Sequence, residues 1–303
     1  MHFLSACRRL RPACALTAVL AVVSAGSARA ELTADQVRNA SIAGVYERPV
    51  ALRDGRYAGP PFAAGGASRP TLTVVGDLSA VGDLDAEAGD EAAVLLSENS
   101  GGSGEMIYLS VIALRGGAPE SIGTVAVGDR TKIISIGVSG TEILLRVVEA
   151  GPGDPACCPT QVARKAYGMD GGALTLKRSD VEGTLSLALI AGVEWTAAEI
   201  DGEPIPAGAR RPTAVVADGR IAGFGGCNRY TASISETSPG SIAVGPAAAT
   251  KMACPEPEML LEDRFLLSLG AATQYSFLAG RLVFSGTGGS VPRSIILVRS
   301  QVH

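Results

Sequence analysis

Residues 275–284 have the sequence Tyr275-Ser276-Phe277-Leu278-Ala279-Gly280-Arg281-Leu282-Val283-Phe284. Aromatic and aliphatic side chains recur at every second position on both sides of Ala279-Gly280. Alternate side chains of a strand share one face, and a two-residue linker containing glycine is typical of a tight hairpin turn. The stretch therefore predicts two antiparallel strands that bury one aromatic face.

Strands are also predicted before and after this hairpin. Short apolar runs broken by glycine and aspartate are typical of strands, and Ser139-Gly140 between two of the runs suits a second tight turn. The apolar runs cover residues 71–75, 92–96, 107–114, 132–138, 142–148 and 294–299.

Two helices are predicted. Thr33-Ala34-Asp35-Gln36 fits a capping box, which indicates a short helix. Residues 256–269 have helical spacing, with Leu261, Phe265 and Leu269 on one face and Gly270 as a stop. Acidic residues lie in the first turn of this second helix, where the helix dipole favours them.

The predicted fold class is therefore α+β and strand-dominated. We expect two domains after a leader at 1–30. These are a β-rich domain of unknown function at 31–189 and a second domain at 190–303, with a boundary near residue 190 after the polar stretch 177–183. The second domain is expected to be a curled antiparallel sheet with one amphipathic helix.

Histidine content excludes many kinds of catalytic site. The chain has two histidines, His2 and His303, at opposite ends of the sequence. Ser-His-Asp and Cys-His hydrolysis, a multi-histidine zinc site and a histidine general base all need an imidazole inside a structured site. We therefore expect a protein that is not an enzyme, with no catalytic, cofactor-binding or metal-binding residues.

The first thirty residues resemble a secretory signal peptide. Arg8, Arg9 and Arg11 precede an apolar stretch at 13–23, and Ala28-Arg29-Ala30 is a small-x-small cleavage pattern. These residues hold four of the 26 basic side chains and none of the 30 acidic ones, so the mature chain has a formal net charge of −8. We expect a periplasmic or secreted protein that has no transmembrane segment after cleavage and does not bind nucleic acid.

Four cysteines remain after cleavage, and an oxidising compartment favours disulfides. Cys227 and Cys254, which are 27 positions apart, are the predicted disulfide. Cys157 and Cys158 are adjacent and are either a second disulfide or a thiol-redox or soft-metal pair, although four cysteines allow three pairings.

One acidic stretch has some features of a calcium-binding loop. Asp83, Asp85, Glu87 and Asp90 alternate in the manner of such a loop, but Ala88 stands where glycine is needed and no glutamate closes it. A solvated turn between strands is the favoured interpretation.

The C-terminal part, about residues 190–303, resembles the META domain, the HslJ-like heat-shock family of bacterial envelope proteins. The resemblance implies a small α+β domain in proteins linked to stress tolerance, drug resistance, motility or secretion, with no established reaction. Asn228, Arg229 and Tyr230 could form a recognition surface, although turn architecture is the favoured role. The resemblance is based on Trp195, Gly202-Glu203-Pro204-Ile205, Gly223-Phe224-Gly225-Gly226-Cys227-Asn228-Arg229-Tyr230, Thr250-Lys251-Met252-Ala253-Cys254-Pro255, and Glu262, Phe265 and Leu269.

The N-terminal part resembles only segments of uncharacterised bacterial envelope proteins, and these bring no function. The segments are Gly82-Asp83-Leu84-Asp85, Gly101-Gly102-Ser103-Gly104, Gly128-Asp129-Arg130 and Asp154-Pro155-Ala156-Cys157-Cys158-Pro159-Thr160.

The sequence thus favours an exported, non-enzymatic envelope protein that binds a protein partner or a lipid-like ligand in stress tolerance. A curled sheet closed by a helix can enclose an apolar cavity, which is where a lipid chain is expected. The alternative is a thiol-redox or metal-handling protein acting through Cys157 and Cys158.

Overall fold

The computed structural model describes residues 32–87, 89–155 and 157–300. The helices are α1 (Ala34–Arg38) and α2 (Glu256–Gly270). The strands are β1 (Ser41–Ile42), β2 (Val50–Ala51), β3 (Arg56–Ala58), β4 (Thr71–Gly82), β5 (Glu91–Asn99), β6 (Met106–Arg115), β7 (Ala118–Asp129), β8 (Lys132–Ser139), β9 (Glu142–Glu149), β10 (Gln161–Asp170), β11 (Ala173–Thr184), β12 (Glu194–Ile200), β13 (Glu203–Pro204), β14 (Thr213–Ala217), β15 (Arg220–Phe224), β16 (Arg229–Ser238), β17 (Ser241–Val244), β18 (Ala248–Ala249), β19 (Ala272–Leu278), β20 (Arg281–Gly288) and β21 (Val291–Arg299).

The N-terminal part is built from two sheets. Strands β1 to β7 form a seven-stranded sheet in the order β2-β1-β7-β6-β5-β4-β3, and β8 to β11 form a four-stranded antiparallel meander. Leu95 and Leu109 of the first sheet share a buried cluster with Leu145 and Tyr167 of the second. The two sheets therefore pack face to face around a common core.

Strand β5 is buried on both of its faces. Leu95 belongs to the cluster between the two sheets, whereas Val94 and Leu96 belong to a second cluster with Val37 of α1. Side chains on a strand alternate between faces, so α1 covers the outer face of the first sheet. This double burial explains why residues 92–96 are a continuous apolar run.

The C-terminal part is a closed antiparallel barrel. Its strands follow the order β12-β14-β15-β16-β17-β19-β20-β21, and β12 pairs again with β21 to close the ring. Strand β13 pairs with the end of β12, and β18 pairs with β16. The curled sheet expected from the sequence is therefore wound into a barrel, with the apolar face of α2 packed into the same core.

Asp201 fixes α2 to the barrel. Its carboxylate accepts hydrogen bonds from Ser268 Oγ of α2 at 3.0 Å, from Arg293 at 2.7 Å and from the Ser294 N–H at 2.9 Å. Burial raises the pKa of the Asp201 carboxyl, but the bonds from Ser294, Arg293 and Ser268 outweigh it and hold this pKa below its usual value.

The hydrophobic core continues across the expected domain boundary. Val148 and Val162 of the four-stranded sheet, and Leu185 after it, lie in the same buried cluster as Trp195 and Ile190. The backbone N–H of Gly280, in the β19–β20 turn, also donates to the carbonyl of Ile133 in β8 at 2.9 Å. A division into two domains at residue 190 is therefore not confirmed, because the two parts bury apolar surface against each other.

Local predictions agree with these elements. The 275–284 stretch forms the β19–β20 hairpin, in which Tyr275, Phe277, Leu282 and Phe284 are all buried. Thr33 and Gln36 make both bonds of the capping box at α1. The predicted face of α2 is buried as expected at Leu261, Phe265 and Leu269.

Within the described residues, no helix is both long and apolar enough to cross a membrane.

Candidate functional site

The glycine-rich stretch 223–230 and the loop 250–254 come together as one structure, which we call the signature turn. Asn228 Oδ1 accepts from the Thr250 hydroxyl at 2.8 Å and from the Met252 N–H at 2.7 Å. The sulfur atoms of Cys227 and Cys254 lie at bonding distance, 1.96 Å apart. An amide side chain and a sulfur pair therefore both join the two segments.

Glu262 of α2 completes the signature turn from the other side. Glu262 is 8% exposed, and its carboxylate accepts from the Cys227 N–H at 3.0 Å, from Asn228 Nδ2 at 2.9 Å and from the Asn228 N–H. A Cβ atom on Gly225 would lie 2.8 Å from the Glu262 carboxylate, so glycine is needed for this close approach. The turn is thus a structural connection between barrel and helix.

The barrel interior is filled by its own side chains. Trp195, Phe265, Phe277 and Phe284 are each between 0 and 2% exposed and belong to one cluster. Close-packed interiors leave few voids larger than a water molecule. The expectation that a lipid chain lies inside the barrel is therefore wrong, because aromatic side chains occupy that space.

A cavity of about 520 Å³ lies instead where the barrel meets strands β8 and β9, and we call it the seam cavity. Apolar groups and four polar side chains line it. The main apolar side chains are those of Ile134, Ile136, Leu189, Trp195, Phe277 and Val298. The polar ones are those of Ser135, Arg146, Arg281 and Arg299.

Strand register brings these polar side chains to one place. Ser135 and Arg146 are direct cross-strand partners in β8 and β9, and Trp195 and Arg299 are direct partners in β12 and β21. Directly opposed residues of an antiparallel pair lie on the same face. Arg281 follows the β19–β20 turn, whose bond to β8 fixes the barrel against the N-terminal sheet.

Trp195 is the unusual group in the seam cavity. Its side chain is 2% exposed, and among the described residues its Nε1 has no hydrogen-bond acceptor. The guanidinium carbon of Arg299 lies 5.8 Å from the centroid of the Trp195 ring. Because buried indole N–H groups are usually bonded, the Nε1–H of this cavity-lining residue is an unsatisfied donor.

The charge of the seam cavity is opposite to that of the chain. Among the described residues, its lining includes three arginines and no carboxylate. The whole chain, by contrast, has a formal net charge of −4. Arg146 is paired with Glu182 at 2.6 Å, and Glu182 is shared with Arg164 at 2.7 Å. No carboxylate in the described part of the chain forms an ion pair with Arg299. The cavity is therefore suited to an acceptor or an anion.

Comparison with known proteins identifies the C-terminal part. The family model described as META domain matches residues 186–294, a range that includes the signature turn and Glu262. Residues 186–294 form a META domain. The resemblance found in the sequence is therefore confirmed for this part of the chain.

No curated protein matches the chain. A solved structure described as the NMR structure of the protein from Burkholderia xenovorans is 23% identical, covers 38% of this chain and 86% of that chain, and has a TM-score of 0.32.

The three residues considered as a recognition surface of the META domain have different environments. Asn228 and Tyr230 are 5% and 3% exposed, whereas Arg229 faces solvent. Tyr230 donates to the Thr213 carbonyl at 3.0 Å and packs edge-on against Phe265, with ring centroids 5.4 Å apart. Asn228 and Tyr230 are thus not accessible to a partner, because both hold the barrel together.

Cys157 and Cys158 lie in an exposed turn between β9 and β10, with their sulfur atoms 2.30 Å apart. Asp154 braces this turn by accepting from the N–H groups of Gly151 at 2.8 Å and Thr160 at 2.7 Å. These two N–H bonds are the main reason that the pKa of Asp154 is lowered. The cysteine turn borders a groove that also contacts Gly240 and Tyr275 of the META domain.

The acidic loop forms a compact cluster that is used locally. Carboxylate oxygens of Asp83, Asp85 and Glu91 lie within 4.8 Å of one another. Glu91 accepts from the Leu84 N–H at 2.8 Å, and Asp85 pairs with Arg115 at 2.7 Å. Burial raises the pKa of Glu91. The carboxylates of Asp85 and Glu91 therefore hold their own turn together.

Sequence reasoning missed both the role of Glu262 and the seam cavity. Glu262 was recognised as part of a family pattern, but its acceptor role depends on where α2 docks. The seam cavity combines strands more than a hundred positions apart, such as β8 and β21. The signal in the sequence was limited to the single tryptophan and to arginines within or at the ends of strands.

Proposed function

We propose that this protein is an exported, non-enzymatic binding protein of the bacterial cell envelope that acts in stress tolerance. Its ligand is held in the seam cavity, between the META domain and the four-stranded sheet. The observation that carries this proposal is the cavity itself, since about 520 Å³ lies within the range of small-molecule sites. Its aromatic and apolar walls suit a hydrophobic ligand.

The chemistry of the lining supports binding rather than catalysis. The ionisable groups that line the seam cavity in the described part of the chain are arginines. Guanidinium groups stay protonated at neutral pH, so they bind acceptors but do not act as general bases. The two histidines of the sequence lie at positions 2 and 303.

Export and an envelope role are supported by three features. The signal-like residues 1–30 lie outside the described residues, so their support comes from the sequence alone. Both cysteine pairs have sulfur atoms at bonding distance, which fits an oxidising compartment. The META domain adds the stress-related family context that its resemblance implies.

Native mass spectrometry tests the ligand proposal. We expect mature protein, exported through its own leader and purified without detergent, to carry a small-molecule adduct. Ser135→Phe places a phenyl ring in the lining of the seam cavity and should abolish the adduct. Ser139→Phe, at an exposed serine on the same strand that does not line the cavity, should retain it.

A bare mass in the native protein would contradict a resident small ligand and favour a protein partner, which crosslinking would identify. An adduct that persists in Ser135→Phe would place the ligand elsewhere. A cytoplasmic, uncleaved chain in cell fractions would contradict export.

A second candidate function is thiol-disulfide exchange at Cys157 and Cys158, and the exposed sulfur pair beside a groove favours it. A partner dithiol would give two electrons and two protons to this pair. The cysteine turn would then hold two thiols, and the partner would hold a disulfide. Two adjacent thiols could also bind a soft metal.

Replacing both residues by serine tests this candidate. If it is correct, Cys157→Ser/Cys158→Ser loses a measurable exchange with glutathione, or loses bound metal, relative to the native protein. Unchanged redox potential, metal content and stress phenotype would rule it out. Cys227→Ser/Cys254→Ser is the matched control, because that pair is at the signature turn.

A further inference from the structure

The seam cavity contains more than an apolar wall. Arg299 and the Trp195 indole N–H come from directly paired positions of β21 and β12. Trp195 belongs to the same buried cluster as Phe277, while its Nε1 has no acceptor within the described residues. The cavity lining therefore combines hydrogen-bond donors with hydrocarbon.

An unbonded indole N–H in a buried position is costly, because it has lost its water without gaining an acceptor. A neutral apolar ligand would leave that cost in place. A ligand that brings an oxygen acceptor would remove it. The donor thus discriminates between two kinds of hydrophobic ligand.

The arginine guanidinium groups of the cavity also favour a ligand with an oxygen acceptor over a neutral apolar ligand, and they do so more strongly than the indole N–H. Arg281 at the start of β20, Arg299 at the end of β21 and Arg146 of β9 all line the cavity. Glu182 offsets Arg146 only in part, because it also pairs with Arg164. Guanidinium groups bind carboxylate and phosphate oxygens through paired N–H donors.

We infer that the seam cavity binds a single-chain anionic amphiphile, with its carboxylate or phosphate head at Arg299, Arg281 and Trp195 Nε1. Its hydrocarbon chain lies along Ile134, Ile136 and Phe277. This inference rests on the proposed function and adds the chemical class of the ligand to it. The head group could belong to a fatty acid or to a phosphate-bearing lipid.

The protein contains its own reporter for this test. Trp195 is the single tryptophan of the chain, so a ligand in the seam cavity changes the only tryptophan emission. The purified mature protein is titrated with decanoate, decyl phosphate or decanol, each below its micelle concentration. Isothermal titration calorimetry provides a second measurement that does not depend on fluorescence.

The key variant is Arg299→Gln, which keeps a polar side chain but removes the guanidinium group and its charge. Arg211→Gln is the matched control, because Arg211 is an exposed arginine of the same domain that does not line the seam cavity. Thermal unfolding checks that both variants fold.

We expect each of the two anions, decanoate and decyl phosphate, to bind Arg211→Gln as tightly as it binds the native protein. Decanol should bind both proteins more weakly than either anion does. Arg299→Gln should raise the Kd of both anions by about 10- to 100-fold, the usual effect of losing a charge-assisted hydrogen bond. The ratio of decanoate to decyl phosphate affinity then indicates which source of the head group the cavity prefers.

Two results would overturn the inference, and they have different meanings. If decanol binds as tightly as decanoate, or Arg299→Gln binds as the control does, anion recognition is wrong but ligand binding in the cavity survives. If no probe changes Trp195 emission or releases heat, both the inference and the proposed function of the cavity fail.

Discussion

Removing the Glu262 carboxylate is the most informative single perturbation of the META domain. Glu262 joins α2 to the signature turn, and its carboxylate accepts three hydrogen bonds while only 8% of the residue is exposed. In Glu262→Ala the N–H groups of Cys227 and Asn228 and the Asn228 side-chain amide lose their acceptor. We expect this substitution to unfold the domain at much lower denaturant concentration.

The magnitude follows from the three donors. A buried donor left without an acceptor costs about 1–3 kcal/mol. Removal of the carboxylate also relieves its own burial cost, which offsets part of the loss. We therefore expect the free energy of unfolding to fall by about 3–5 kcal/mol, which is a large effect for a single substitution.

Glu262→Gln separates the hydrogen bonds from the charge. Its single carbonyl oxygen can replace Oε2, which accepts from the Cys227 and Asn228 N–H groups. In the native protein, Glu262 Oε1 accepts a hydrogen bond from Asn228 Nδ2 at 2.9 Å. In the variant, the amide NH₂ group of Gln takes the place of Oε1 and cannot accept this bond. One donor loses its acceptor instead of three, so we expect the free energy of unfolding to fall by about 1–2 kcal/mol.

Urea unfolding followed by Trp195 fluorescence and far-ultraviolet circular dichroism measures these differences, with equal m-values as the check for a common unfolded state. Asp263→Ala is the control, because Asp263 is the next residue of α2 and is exposed. It should change the free energy of unfolding by no more than about 0.5 kcal/mol. The reasoning is refuted if Glu262→Ala loses less than about 1 kcal/mol, or if Gln is more destabilising than Ala.

Three further predictions concern stability. Reducing the Cys227–Cys254 pair, or replacing both by serine, should lower the free energy of unfolding by about 3.5 kcal/mol for a loop of 27 residues; an unchanged urea midpoint would contradict a stabilising bridge. Asp201→Asn should destabilise the native protein at neutral pH. Because the folded pKa of Asp201 lies below its usual value of 3.8, this difference should be full above that pH and shrink as the pH falls below it; a difference that does not shrink in acid would contradict the assignment. Gly286→Ala should destabilise the barrel, because its Cβ would overlap the carbonyl oxygen of the residue that follows α2. Gly270→Ala meets no atom within 4 Å and should stabilise α2 by up to about 1 kcal/mol, and equal melting temperatures for the two glycine variants would show that the close approach does not matter.

Local periodicity gave correct predictions wherever a single element buries a single face. The β19–β20 hairpin and α2 were both predicted, because their apolar side chains repeat with the period of a strand or of a helix. The capping box at α1 was equally local, since Thr33 and Gln36 bond each other. Such features depend on a few neighbouring residues and need no knowledge of the rest of the chain.

Predictions that depended on closure or docking were less successful. The sequence predicts a curled sheet, but whether it closes depends on the pairing of β12 with β21, about a hundred residues apart. A lipid cavity inside the barrel was wrong because Phe265 of α2 and Phe277 of β19 fill the same volume. Side-chain volumes sum across elements, and the sum is known only when the elements are packed.

The amino-acid sequence by itself determined the strand-rich fold class, the META family of the C-terminal part and the buried face of α2. Only the tertiary structure decided that Glu262 is the acceptor for the signature turn and that Arg299 and Trp195 share a cavity with Arg146. The physical reason is that these contacts join groups distant in the chain. Their distances follow from strand register and from the docking of one sheet on another, which no local pattern specifies.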